Sequence, residues 1–154
     1  PYGLPKIEKD PAKELKFQGV YRLSKDGKLT LLTDSMSRPN GIALSPDEKT
    51  LYVANSDPEK PIWMKFPVLD DGTLGKGEVF FDSTKWFQAK KPGLPDGLKV
   101  DKDGNVWATG PGGVYVLNIS ACWPPACRPP TAAGATTVRP CTSPPTRTSC
   151  ASRR

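Results

Sequence analysis

The sequence predicts an all-β fold: a β-propeller fragment of about two and a half four-stranded blades over residues 1–118, followed by an unstructured tail over residues 119–154. Three observations support this prediction. Short strand-like runs separated by turn formers fill the first part, without a convincing amphipathic helix. The tripeptide Pro-Asx-Gly occurs at Pro39–Gly41 and again, offset by 56 residues, at Pro95–Gly97. Charge and cysteine usage change abruptly at Ile119.

The first regular structure is a predicted β-hairpin. Residues 1–16 are polar and contain glycine and proline turn formers, which is typical of a loop. Gly19–Leu23 then alternates as a strand does, and Leu29–Leu32 is its return strand. Asp-Gly in the connection Ser24–Lys28 is a hairpin-turn signal, so we expect the two strands to pair.

A longer unit of strands follows this hairpin. Turn-forming residues separate its strands, with Pro-Asp in the first turn and Asp-Gly in the last. Consecutive short strands joined by turns form an antiparallel meander, which is the unit of a propeller blade. The predicted strands are Gly41–Leu44, Thr50–Asn55, Ile62–Val68 and Gly77–Asp82.

The unit then restarts at Pro95–Gly97. Asp47 aligns with Asp103 at the same offset of 56 residues, after which one residue is missing from the turn. Gly113–Tyr115 repeats Gly19–Tyr21 as the third strand of its unit. Repeats of about 40–50 residues, each a four-stranded meander, are typical of propeller blades. A β-sandwich is the alternative fold, but it does not explain the aligned Pro-Asx-Gly tripeptides.

Residues 119–154 differ in composition from the rest of the chain. The net charge is +6, yet all 16 acidic residues precede Ile119, and the tail carries five arginines and no lysine. It also holds all four cysteines, which could form two disulfides or a metal site. The absence of a C-x-x-C pair and of histidine argues against zinc, and no strand or helix pattern supports a disulfide framework. A proline-rich segment without periodicity is typical of disorder. Its scattered arginines form no element that reads nucleic acid, and no apolar run of the chain reaches the length of a membrane span.

The genetic code offers a second interpretation of the tail. The first two bases of Pro, Ala, Thr and Gly codons are fixed and mostly G or C, so translation in a shifted frame can produce such a segment. Read from the third base of each codon, residues 122–137 and those after them can encode another blade opening with its own Asx-Gly turn. We therefore hypothesise that the reading frame changes near residues 119–122. Sequencing the gene tests this hypothesis.

Asn40 and Asp96 are the candidate site residues. They occupy equivalent positions, each immediately before a predicted strand. The innermost strand of each propeller blade lines the central channel, so the loops that lead into these strands converge at one mouth of the channel. One neutral and one anionic oxygen donor suit a hard divalent cation such as Ca²⁺. Asx before Gly is also common turn chemistry, which is the simpler explanation from the residues alone.

The sequence excludes several other catalytic arrangements. It contains no histidine, which rules out Ser-His-Asp and Cys-His groups. It also has no G-x-S-x-G nucleophile elbow and no glycine-rich phosphate loop. Gly110–Gly113 is rich in glycine but precedes a strand, so we predict a turn there. Aromatic residues within predicted strands are expected to pack between blades rather than to form a ligand cage: Tyr52, Trp63, Phe80, Phe81 and Trp107.

Residues 1–118 resemble the gluconolactonase / senescence-marker-protein / luciferin-regenerating-enzyme family. The resemblance implies a six-bladed propeller that holds a divalent metal in its channel, usually calcium, with zinc, magnesium or manganese as alternatives. It also implies hydrolysis of sugar lactones such as gluconolactone. The ordered motifs that carry the resemblance are Pro1–Pro5, Lys13–Leu15, Phe17–Leu23, Arg38–Ile42, Ser45–Ser56 and Leu94–Leu98.

The family's metal ligands map in part onto this chain. Its asparagine ligand before a strand corresponds to Asn40, and its aspartate ligand corresponds to Asp96. The family also uses a glutamate from the first blade and an asparagine from the second, which this chain does not match, so we expect an internal piece of the domain. The implied mechanism is metal-assisted hydrolysis in which Asp96 holds the cation and positions or deprotonates the attacking water. Asn40 is then a neutral ligand.

Two other interpretations stay open. In one, the propeller binds a ligand or partner without catalysis. In the other, the chain is an inactive fragment, and the 154-residue chain is poorly soluble or aggregated because an open ring exposes strand edges and apolar faces. We expect a soluble parent protein, cytoplasmic or periplasmic, whose partner is a small sugar lactone and which binds neither nucleic acid nor membrane. The identity of the lactone and the oligomeric state do not follow from the sequence.

Overall fold

The computed structural model describes residues 4–6 and 9–118 as a set of antiparallel β-sheets. The predicted all-β fold is therefore confirmed for this part of the chain. The predicted tail, residues 119–154, lies outside the described residues, together with its cysteines and the proposed change of reading frame. None of the helices within the described residues has the length and apolar character needed to cross a membrane.

The strands form a two-stranded, a four-stranded and a three-stranded sheet in chain order. Within each sheet, every strand pairs with the next along the chain, as in a meander. The first sheet contains β1 (Val20–Leu23) and β2 (Leu29–Thr33). The second contains β3 (Pro39–Leu44), β4 (Thr50–Asp57), β5 (Lys60–Pro67) and β6 (Glu78–Asp82). The third contains β7 (Leu98–Val100), β8 (Asn105–Gly110) and β9 (Gly113–Asn118).

The turns after β3 and β7 confirm the predicted repeat and its missing residue. In the second sheet, the Ser45 amide donates to the Thr50 carbonyl at 2.8 Å. In the third sheet, the equivalent bond runs from the Asp101 amide to the Asn105 carbonyl at 3.0 Å, so this turn is one residue shorter. The hairpin at Gly110–Gly113 is also a turn, as predicted.

Two apolar layers separate the three sheets. Val20 of the first sheet packs with Leu51, Val53 and Phe66 of the second. On the opposite face of the second sheet, another set of buried residues meets the third sheet: Tyr52, Ala54, Trp63, Leu98, Val106 and Ala108. Both faces of β4 are therefore covered, which explains why its apolar run is continuous rather than alternating.

The outer faces of the first and third sheets remain exposed in the described part of the chain. Leu23 and Leu29 are 70% and 64% exposed, and Val114 is 63% exposed. The prediction that the aromatic strand residues pack between sheets is confirmed for Tyr52, Trp63, Phe80 and Phe81. It is wrong for Trp107, which lies on the exposed face of β8 and donates its indole N–H to Asp101 at 3.0 Å.

A short helix, α1 (Thr84–Gln88), follows β6, although the sequence shows no convincing amphipathic helix. Five residues are too few to show the 3.6-residue period from which helices are predicted. The preceding residue fixes its start: the buried Ser83 hydroxyl donates to the Pro61 carbonyl at 2.6 Å. The Thr84 amide in turn donates to the Asp82 carboxylate at 2.8 Å.

Candidate metal centre

The two Pro-Asx-Gly segments meet at one edge of neighbouring sheets. β3 and β7, the first strands of the second and third sheets, lie next to each other. The Gly41 amide donates a hydrogen bond of 3.0 Å to the carbonyl oxygen of Asp96. The segments that carry Asn40 and Asp96 are thus joined by a direct backbone bond.

This approach requires glycine at position 41. A Cβ atom built on Gly41 would lie 2.0 Å from the Asp96 carbonyl oxygen and 2.9 Å from the Leu98 amide nitrogen. Both atoms belong to the backbone, so neither can move aside by a change of rotamer. Gly97, the equivalent residue in the third sheet, has no atom within 4 Å of the corresponding position.

A β-bulge and a serine set the direction of the Asn40 side chain. The register of β3 against β4 shifts between Pro39 and Ile42, and such bulges re-aim side chains. The Asn40 Nδ2 group donates to the Ser56 hydroxyl at 3.0 Å. No described residue donates a hydrogen bond to Asn40 Oδ1. The exposed amide therefore keeps its oxygen available as a ligand.

Ser56 lies beneath this amide and connects the two sheets. The residue is 4% exposed, and its hydroxyl donates to the carbonyl oxygen of Pro95. Its own amide donates to the Arg38 carbonyl at 2.8 Å. Sequence reasoning missed Ser56 because it placed the end of the strand at residue 55, whereas β4 continues to Asp57.

Asp96 is held through its backbone rather than its side chain. Its amide donates to the Thr109 carbonyl at 3.1 Å, and the Thr109 amide donates to the Gly97 carbonyl at 3.0 Å. The Asp96 side chain is exposed, and within the described residues its carboxylate has neither a hydrogen bond nor an ion pair. The strand β8 therefore fixes the position of the residue while the carboxylate remains free to bind.

These donors suit a hard cation but do not complete its coordination. Amide and carboxylate oxygens are ligands that calcium accepts, and calcium takes about 6–8 of them. Among the described residues, no group of three or more His, Cys, Asp or Glu side chains could hold a metal ion. Asn40 and Asp96 thus fit such an ion as two of several ligands.

An open groove runs beside the two segments. Asn40, Gly41 and Ile42 form one wall. Gly97, Leu98 and Lys99 form the other, and Trp107 and Thr109 of β8 extend it along the exposed face of the third sheet. The groove thus combines the Asn40 amide, two glycines, apolar side chains and one lysine in its lining.

Comparison with known proteins assigns the family. Residues 2–122 match the family described as SMP-30/Gluconolactonase/LRE-like region. The chain belongs to this family. The resemblance carried by the sequence motifs is thereby confirmed.

Individual relatives agree with this assignment. The chain is 44% identical over 120 residues to a gluconolactonase from Zymomonas mobilis. The matched region covers 76% of this chain and 33% of the relative. A solved gluconolactonase structure from Xanthomonas campestris is 37% identical with a TM-score of 0.59, covering 71% of this chain and 34% of that one. A calcium-binding protein, regucalcin, from Agrobacterium tumefaciens is 35% identical with a TM-score of 0.53, covering 66% and 33%. The chain thus spans about a third of the length of these relatives.

Proposed function

We propose that the protein carrying these blades hydrolyses a sugar lactone with the help of a divalent metal, calcium in the first instance, held in part by Asn40 and Asp96. The observation that carries the proposal is the Gly41–Asp96 backbone bond of 3.0 Å. It holds together two segments whose side-chain oxygens accept no hydrogen bond from the described residues. Family membership and the gluconolactonase relatives support the substrate class.

Asn40 and Asp96 have different tasks in this proposal. Asn40 presents a neutral oxygen whose amide nitrogen is already bonded to Ser56 at 3.0 Å. Asp96 supplies the negative charge that offsets the charge of a cation. A divalent cation bound there provides Lewis acidity toward an ester carbonyl. Zinc, magnesium or manganese would use the same oxygen donors.

Asp96 also serves as the candidate catalytic residue. Its carboxylate is exposed, and Asp96 immediately precedes Gly97, which lines the groove, so a lactone and a water molecule can reach it. A carboxylate in this place can orient the attacking water and accept its proton.

The test is a lactone hydrolysis assay on the complete gene product. Removal of metal with a chelator should abolish gluconolactone hydrolysis, and added calcium should restore it. Asp96→Asn should lower kcat by about 100-fold or more, the lower end of what general acid–base groups contribute. Asp103→Asn is the matched control, because Asp103 is an exposed aspartate on a turn of the same sheet.

Two results would contradict the proposal. One is full activity in the presence of chelator, and the other is wild-type activity in Asp96→Asn. A gene product that hydrolyses no lactone with calcium, zinc, magnesium or manganese, but binds sugars, would favour a non-catalytic binding propeller instead.

A further inference from the structure

We propose that Ser56 is a positioning residue that fixes the orientation of the Asn40 amide and couples it to the Asp96 segment. This inference rests on the proposed function, since it assigns a role toward the same candidate metal. It concerns a residue of β4 that lies outside both Pro-Asx-Gly segments. Its hydroxyl contacts one residue from each side of the site.

The directions of the hydrogen bonds around Ser56 follow from the chemistry of the groups. A carbonyl oxygen only accepts, so the single hydroxyl hydrogen of Ser56 must go to Pro95. The hydroxyl then has only lone pairs left for Asn40. The amide nitrogen Nδ2 of Asn40, at 3.0 Å, is therefore the group that faces Ser56.

This arrangement selects one of the two orientations of the Asn40 amide. If the amide turned over, its oxygen would face the hydroxyl oxygen, and two acceptors would stand opposite each other without a hydrogen between them. Ser56 is 4% exposed, so water has little access to relieve that repulsion. The orientation that remains directs Oδ1 away from Ser56 and leaves it available to a cation.

The same hydroxyl links the two candidate ligands. Pro95 immediately precedes Asp96, and the bond from Ser56 to Pro95 spans 39 residues of sequence. The Ser56 backbone amide also donates to the carbonyl of Arg38, two residues before Asn40, at 2.8 Å. A displacement of the Asn40 segment therefore displaces the Asp96 segment, and the reverse, because both are bonded to the buried Ser56 hydroxyl. Groups that orient metal ligands in this way typically contribute about 10–100-fold to metal affinity.

Ser83 provides a matched control within the chain. Its hydroxyl is also buried and also donates to a proline carbonyl, that of Pro61, at 2.6 Å. Unlike Ser56, it lies at the start of α1, and its hydroxyl bonds neither Asn40 nor the Asp96 segment. Removing this hydroxyl should affect stability without affecting the site.

The experiment measures calcium affinity and the Asn40 side-chain amide in the complete gene product. Ser56→Ala should raise the calcium Kd by about tenfold or more in calorimetry, whereas Ser83→Ala should leave it unchanged. In NMR spectra with labelled asparagine and no calcium, the signal of the Asn40 amide hydrogen that faces Ser56 should show slow exchange with water, and the exchange should become rapid in Ser56→Ala. Ser56→Thr, which keeps a hydroxyl, should restore the slow exchange.

Unchanged calcium Kd and unchanged Asn40 signals in Ser56→Ala would overturn the inference. An equal loss of affinity in Ser83→Ala would also overturn it, because the effect would then be one of general stability. Absence of calcium binding in the wild type refutes the proposed function, whereas normal wild-type binding with an unaffected Ser56→Ala refutes only the role of Ser56. If Ser56→Ala does not fold, rapid exchange of both wild-type Asn40 amide hydrogens overturns the inference and slow exchange of one supports it.

Discussion

The openings of the second and third sheets share the tripeptide Pro-Asx-Gly but are held in place by different bonds. In the second sheet, the Asn40 side chain is bonded to Ser56 at 3.0 Å, and Gly41 approaches the backbone of the third sheet. In the third sheet, the Asp96 backbone is bonded to Thr109 at 3.1 Å, and its side chain bonds no described residue. Corresponding positions in the two repeats are thus held by different contacts despite their similar sequence.

The glycines show this difference most clearly. Gly41 has no room for a Cβ atom, because the Asp96 carbonyl oxygen lies 2.0 Å from its position. Gly97 has open space. Close packing therefore requires glycine at position 41 in the second sheet, whereas no steric contact requires it at position 97 in the third.

Substitution of Gly41 should give the largest effect. Gly41→Ala is expected to destabilise the protein by about 3 kcal/mol, the upper part of the usual range for inserting an atom into a filled space. It should also lower lactonase activity, because the two segments are forced apart. Chemical denaturation and kinetic assays of the complete gene product measure both effects.

Gly97→Ala is the control for this experiment. With nothing within 4 Å of the new methyl group, its effect on stability should stay within about 0.5 kcal/mol. Equal destabilisation by the two substitutions would show that the close approach of the sheets is not the reason for glycine at position 41.

The turns after β3 and β7 offer a second comparison, in which we expect changes in stability of intermediate size. Glu48 and Gly104 occupy the same place, with φ of 58° and 84° respectively. For a residue with a side chain, this left-handed conformation costs about 1 kcal/mol or slightly more. Gly104→Ala should therefore destabilise by about 1 kcal/mol and Glu48→Gly should stabilise by a similar or smaller amount, as measured by denaturation. Effects of the same sign in both turns would contradict the comparison.

The smallest expected effect concerns acid sensitivity of the same turns. Hydrogen bonds from the Trp107 indole and then from Asn105 lower the pKa of Asp101 from 3.8 to about 2. Because the carboxylate is favoured in the folded protein, its contribution to stability is complete above about pH 4 and is lost as the pH falls from there toward 2. In the second sheet, the bond from Ser45 and then that from the Lys49 amide lower the pKa of Asp47, without an indole partner.

An NMR titration of the Asp101 carboxyl carbon measures this effect. We expect a midpoint near 2 and an increase in Trp107→Phe, which removes the largest cause of the shift. A wild-type midpoint near 3.8 would refute the lowering of the Asp101 pKa by these hydrogen bonds.

The repeat pattern explains how much of the fold was predictable. Alternating strands and turn formers predicted all three sheets, and the offset of 56 residues between the two tripeptides placed Asn40 and Asp96 at equivalent positions. The orientation of Asn40 was not predictable, since Ser56 reaches Pro95 across 39 residues of sequence. The exposure of Trp107 was also missed, because a strand pattern does not say which face another sheet covers.

The most direct test is a crystal structure of the complete gene product grown with calcium. We predict a calcium ion bound by Asn40 Oδ1 and by a carboxylate oxygen of Asp96, each at about 2.3–2.6 Å. Asn40 Nδ2 should still donate to Ser56 in that structure. A calcium ion bound elsewhere, or an Asn40 amide turned so that its nitrogen faces the ion, would contradict the account.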